Sequence, residues 1–211
     1  MSKTALDKAR EAPRSTKARI LAAAEEVFAA RGFAGASTRE IAARAGVNIS
    51  SLHYHWASKE TLYLAVFRNV FDHITELLGR AVQGVHDAQL DRHGAVERVM
   101  SDLFDYFADH PNVTRLLVRR IVEDQEADGG LERDVLQPAW AMFDAWLARF
   151  GKASQPGESR LFMLSLQSVV LVYLLDSQAY RSLLGGSVRE APLREQVRAH
   201  VLHLVHTLLG A

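Results

Sequence analysis

Thr38 to Tyr63 reads TREIAARAGVNISSLHYHWASKETLY, and the punctuation of that stretch decides the fold. Thr38 is a good N-cap, and Glu40, Ile41, Ala42, Ala43 and Ala45 suit a short helix with its apolar side inward. Gly46 ends that helix, Val47 fills the space behind the turn, and Asn48 or Ser50 caps a second helix running through Leu52 to Trp56. Ser58 caps a third, with Lys59 and Glu60 in its first turn and Leu62, Val66, Phe67 and Val70 recurring at helical spacing. Two short helices around a glycine turn, followed at once by a third, form the unit that presents its second helix to the DNA major groove.

Upstream, Ile20, Leu21, Ala24, Val27 and Phe28 make a stripe at spacings of three and four, so the first helix supports this unit. Residues 1–14 lack apolar periodicity and read as a mobile arm. Downstream, helical stripes continue almost without interruption. A helix from about Lys59 to Val82 precedes a polar connection around Gly84 to Gly94, and Val96, Val99, Met100, Leu103, Phe104 and Phe107 form the next stripe. Asp109-His110-Pro111 ends one helix and starts another with proline in the first turn. Asp128-Gly129-Gly130 breaks the pattern, Pro138 starts or kinks the following helix, and two long helices are expected over about Glu158 to Leu184 and Pro192 to Leu209. No alternating strand pattern is present. The expected architecture is all-α, with an arm at 1–14, a three-helix helix-turn-helix head at 15–60 and a larger C-terminal helical domain at 61–211.

The chain has 211 residues, no cysteine and a formal net charge of zero. The lack of cysteine excludes disulfides, thiolate zinc sites and thiol redox sensing, and it fits a reducing cytoplasm, where the protein is placed by expectation. No export signal is visible, and the longest apolar stretch, Leu161 to Leu175, is shorter than the ~20 residues a membrane span needs. Charge is divided unevenly. Residues 1–59 hold ten Lys/Arg against five Asp/Glu, leaving fifteen against twenty for the remainder. A basic head on an acidic body is the electrostatic footprint of a modular nucleic-acid binder.

The N-terminal quarter resembles the TetR family of one-component transcriptional regulators. The matching residues are the helix from Thr16 to Arg31 with Gly32-Phe33, then Thr38, Ile41-Ala42, Ala45-Gly46-Val47, Leu52, His55, Trp56, Ser58-Lys59-Glu60 and Leu62. His53 replaces the family's usual tyrosine, and Ser50 stands where glycine is common. The resemblance implies a helical body that binds a small-molecule effector and dimerises, and repression relieved by that effector. It also implies that Thr38, Arg39, Tyr54, His55 and Lys59 occupy phosphate-contacting positions, the first and last at helix N-termini that favour anions.

The candidate reading surface is the second helix of the motif: Asn48, Ile49, Ser50, Ser51, His53 and Tyr54 for groove contact, with Leu52 and Trp56 turned inward. This helix offers no arginine for bidentate contact with guanine, so readout leans on hydroxyls, imidazole, DNA shape and water. A double-stranded operator, a small-molecule effector and a second copy of the chain are the expected partners. Met100, Phe104, Phe107, Trp140, Phe143 and Trp146 are candidates to line an effector pocket, because such cavities are mostly apolar. Leu161, Leu164, Leu166, Val169, Val170 and Leu174 on one helix, with Val197, Val201, Leu204, Val205 and Leu208 on another, are expected to make a four-helix homodimer interface.

No cofactor or metal site is expected. His53 and His55 are two apart on a helix and diverge, and His200, His203 and His206 at spacing three lack a carboxylate partner in sequence. Acidic pairs such as Glu25-Glu26 and Glu123-Asp124 read as solvated helix surface, and no catalytic motif is seen. A helical protein-interaction adaptor and an all-α enzyme are the alternative readings, separated from a DNA binder by duplex affinity and turnover.

Overall fold

In the computed structural model, which describes residues 15–86, 91–123, 130–150 and 156–209, each of the first four helices begins at a hydroxyl or amide side chain. Ser15 caps α1 (Thr16–Gly35) by accepting from the Ala18 N–H at 3.1 Å, and Ser37 caps α2 (Thr38–Ala45) by accepting from Glu40 at 3.1 Å. Thr38, expected at that cap, is instead the first helical residue. Asn48, rather than Ser50, caps α3 (Ile49–His55), accepting from Ser51 at 2.7 Å. Ser58 and Thr61 close α4 (Lys59–His86) reciprocally, the Thr61 N–H donating to Ser58 Oγ at 3.2 Å and the Ser58 N–H to Thr61 Oγ1 at 3.1 Å. Each bond satisfies a donor that a helix start leaves orphaned.

Downstream follow α5 (Arg92–Asp109), α6 (Pro111–Glu123), a π-helical turn (Glu132–Leu136), α7 (Gln137–Phe150), α8 (Pro156–Leu174), α9 (Gln178–Leu184) and α10 (Leu193–Leu209). No strand occurs among the described residues, in agreement with the all-α reading. Residues 1–14, read as an arm, lie outside the described residues. Pro138 lies in the first turn of α7, directly behind the π-helical turn, where the helical run continues without a break.

The chain forms two compact units. The first contains Met1–His73 with Arg115–Pro138, and the second Ile74–Thr114 with Ala139–Ala211. The unit around the helix-turn-helix therefore takes in segments beyond the 15–60 span. Arg119 shows why: its Nε donates to Ala29 O at 2.9 Å and its Nη2 to Ala30 O at 2.8 Å, occupying carbonyls released where α1 breaks at Gly32. Gly32 has φ 71° and ψ 178°, a conformation open in practice only to glycine. The core of this unit is Ile20, Phe28, Ile41, Leu52, Leu62 and Phe67, all fully buried, with Tyr63 set edge-on to Phe28 at 5.0 Å.

In the second unit α5, α8 and α10 pack on one another around Val96, Val99, Met100, Phe104, Leu166, Val170, Leu174, Val201 and Val205. Arg194 ties α10 to α5 through Asp105 at 2.8 Å and Asp109 at 2.7 Å, and Arg198 adds a second contact to Asp105 at 2.8 Å. The single helix expected over Glu158 to Leu184 is in fact two, α8 and α9, bent by 86°. The cause is Asp176, buried at φ 49°, whose carboxylate accepts from Arg181 at 2.7 Å, Ser187 Oγ at 2.9 Å and the Val188 N–H at 3.3 Å, with Arg189 3.6 Å away. Among the described residues no single helix is long and apolar enough to cross a membrane.

Candidate nucleic-acid interface

Gly46 sets the angle between α2 and α3. It sits in the left-handed region at φ 65° and donates to Ala43 O at 3.1 Å, while Val47 N–H reaches Ala42 O at 3.0 Å. This paired closure is a Schellman motif, which ends α2 sharply and leads directly into the Asn48 cap. Leu52 is 0% exposed and pins α3 to the core. Ser50, His53 and Tyr54, at spacings of three and four, consequently form the outward face of α3, and Tyr54 is 84% exposed. Asn48 is exposed but spends its side-chain oxygen on the cap, whereas Ile49, Ser51 and His55 are half-buried flanks. The Tyr54 ring meets His55 edge-on at 5.1 Å.

The cations of the head divide into two groups. Arg44 pairs with Glu26 at 2.9 Å and Arg31 with Glu40 at 3.6 Å, so neither carries a full unspent charge. Arg39 is exposed and has no ion pair among the described residues. Lys17 lies 5.2 Å from the Trp56 ring centroid, which brings the start of α1 beside the end of α3. Sequence reading did not single out Lys17, because nothing in the chain order links it to the motif. Lys59, expected at a phosphate-contacting position, also has partners within the chain. Its ammonium donates to Phe33 O at 2.9 Å and Ala36 O at 3.1 Å and stands 4.3 Å from the Phe33 ring centroid, so it caps the end of α1. Glu60 is held below the usual carboxylate range by the Ser58 hydroxyl beside it, an added negative charge at the start of α4.

Other expectations need correction. Glu25 is 0% exposed, so Glu25-Glu26 is not a solvated acidic pair. Glu123 is engaged by Arg119 at 2.8 Å, and Asp124 lies outside the described residues. Of the expected pocket set, Met100, Phe104, Phe107, Phe143 and Trp146 are buried in the second unit, where Phe143 stacks with Phe162 at 6.4 Å, but Trp140 is at the surface. Of the expected dimer face, Leu166, Val170, Leu174, Val197, Val201 and Val205 are buried inside the single chain and are core, because α8 is packed by α5 and α10 on that side. Val169 and Leu204 are half-buried, and the side chain of Leu208 lies outside the described residues. Leu161 and Leu164 of the expected face are 68% and 57% exposed, and with Ser168 and Val172 they form the outward stripe of α8.

A capped three-helix core that turns one short helix outward, with unspent basic residues beside it, defines the head as a helix-turn-helix module. Residues 20–66 match the model of the bacterial regulatory proteins, tetR family. The HTH-type transcriptional activator FasR of Mycolicibacterium smegmatis is 38% identical over 81 residues, covering 38% of this chain and 37% of its own. The HTH-type transcriptional repressor NicS of Pseudomonas putida is 29% identical over 102 residues, covering 48% of this chain and 46% of its own. The chain thus spans under half the length of these curated relatives. The fold as a whole is similar to that of FadR of Bacillus subtilis, solved in complex with stearoyl-CoA, with a TM-score of 0.63, 14% identity and coverage of 90% of this chain and 96% of that one. A transcriptional regulator of Rhodococcus sp. Rha1 gives a TM-score of 0.63 at 20% identity, covering 92% and 97%.

Proposed function

We propose that the chain is a ligand-responsive transcriptional regulator, acting in the cytoplasm as a homodimer on a pseudo-palindromic operator, with release by a small molecule as its mode of control. The observation that carries the reading is Tyr54, a large aromatic side chain 84% exposed on the outer face of a helix whose opposite face is locked by Leu52. Such a ring is costly to leave in water and suits the wall of a DNA groove. Ser50 and His53 beside it supply hydrogen-bonding groups for base edges, and Arg39 and Lys17 supply charge for phosphates. One head reads only a short half-site, so useful specificity requires two.

The outward stripe of Leu161, Leu164 and Val172 on α8 supports the dimer, since contiguous exposed apolar surface of this kind marks an interface. Leu164→Arg is expected to shift the sedimenting species from dimer to monomer. The buried aromatic wall of the second unit supports an apolar effector, which must by linkage bind less tightly when operator is bound. The decisive comparison is between specific and random duplexes. His53→Ala and Tyr54→Ala should each narrow that difference by about 1–3 kcal/mol, whereas Arg39→Ala should weaken both alike. An unchanged specificity ratio in both groove variants overturns the reading.

A further inference from the structure

We propose that His93, Glu97 and His206 form a binding site for a divalent transition metal of the zinc class, joining the first turn of α5 to the last turn of α10. His93 and Glu97 are one turn apart on α5, and α10 packs against α5, so His206 arrives from the partner helix. The ligand atoms of the three side chains lie within 4.8 Å of one another. The two imidazole rings are stacked 3.9 Å apart at an interplanar angle of 13°. Two imidazoles and a carboxylate are the donors that zinc, cobalt, nickel and copper select, and they are a poor set for calcium or magnesium. Bonds of about 2.0–2.1 Å in tetrahedral geometry place ligand atoms about 3.3 Å apart. His93 and Glu97 are exposed, so ordinary side-chain rotation closes the difference without moving the backbone.

Two further features favour a cation here. His206 stands at the C-terminal end of α10, where the unpaired carbonyls present negative potential. Its Nδ1 is shielded from solvent and has no hydrogen-bond partner among the described residues, a cost that a bound ion or its water removes. Three protein ligands leave a coordination position for water, and binding would staple α5 to α10. The site stands independently of the DNA reading. It also differs from the His200, His203 and His206 series considered from sequence, because two of its three ligands lie more than a hundred residues upstream.

The test is a titration of the tag-free full chain with Zn²⁺ by calorimetry and with Co²⁺ by visible absorption. One ion per chain is expected, with low-symmetry d–d bands for Co²⁺. His93→Ala and Glu97→Gln, both at exposed positions, should each weaken binding by at least about tenfold, and the double variant His200→Ala with His203→Ala should leave it unchanged. Equal affinity in wild type and His93→Ala, or loss of the signal in the His200/His203 double variant, overturns the proposal and assigns the ion to surface histidines.

Discussion

Gly32→Ala probes the joint between α1 and α6 more sharply than any other single change. Alanine cannot hold φ 71° with ψ 178° without strain of about 1–3 kcal/mol. Its Cβ would also lie 2.9 Å from the Glu123 carboxyl carbon and closer still to the oxygens. Glu123 must then leave Arg119, whose half-exposed pairing with it is worth under about 1 kcal/mol. The two terms set the expected loss at roughly 1–4 kcal/mol, or a fall in melting temperature of roughly 2–16 °C for a chain of this size. Urea and thermal unfolding followed by circular dichroism measure it. Gly35→Ala is the control, because a Cβ there meets only Arg31 Cβ at an ordinary 3.5 Å, and it should be neutral or stabilising by about 0.4–1 kcal/mol. Introduced into a Glu123→Ala background, Gly32→Ala should cost only the backbone part, about 1–3 kcal/mol. Gly32→Ala unfolding with wild type, or Gly35→Ala losing as much, refutes the reasoning.

Asp176→Asn should cost roughly 2–4 kcal/mol, below the full range for a broken buried pair because Arg181 is half exposed. Burial pushes the Asp176 carboxyl up, but the bonds from Arg181, Ser187 and Val188 and the charge of Arg189 outweigh it and hold it low. Its contribution is therefore complete above the unfolded value of about 3.9 and is lost as pH falls through the lower folded value, so wild-type and Asp176→Asn stability curves should run parallel near neutrality and converge in acid. Lys59→Ala removes two charged hydrogen bonds to Phe33 O and Ala36 O and should destabilise the chain by roughly 1–2 kcal/mol. In salt titrations of DNA binding it should change the slope less than Arg39→Ala, which removes a cation without such bonds.

Local signals made the head legible. The positive φ at Gly46, the Ser58 cap, the inward Leu52 and the outward Ser50, His53 and Tyr54 each follow from residues within one turn of one another. What sequence order could not show is what distant segments do. The 89- and 90-residue separations between Arg119 and its carbonyls hide the reason α1 can break at Gly32. The helix position of Lys59 suggested only an anion contact, and the folded chain adds two carbonyls within reach of its ammonium. The apolar run from Leu161 to Leu175 carries residues on all sides, so periodicity alone could not separate the face packed by α5 and α10 from the face turned outward. The break at Asp176 was hidden by the same run.

The central claim is that two outward α3 helices, held as a pair, read a short sequence twice. Selection of duplexes from a random library by the purified full chain tests it most directly. The account predicts enrichment of an inverted repeat, with half-sites about one helical turn or a multiple of it apart centre to centre, and loss of that enrichment in the Tyr54→Ala chain while salt-dependent binding to bulk DNA persists. No enriched sequence with wild type, or the same repeat enriched equally by Tyr54→Ala and His53→Ala, would contradict it.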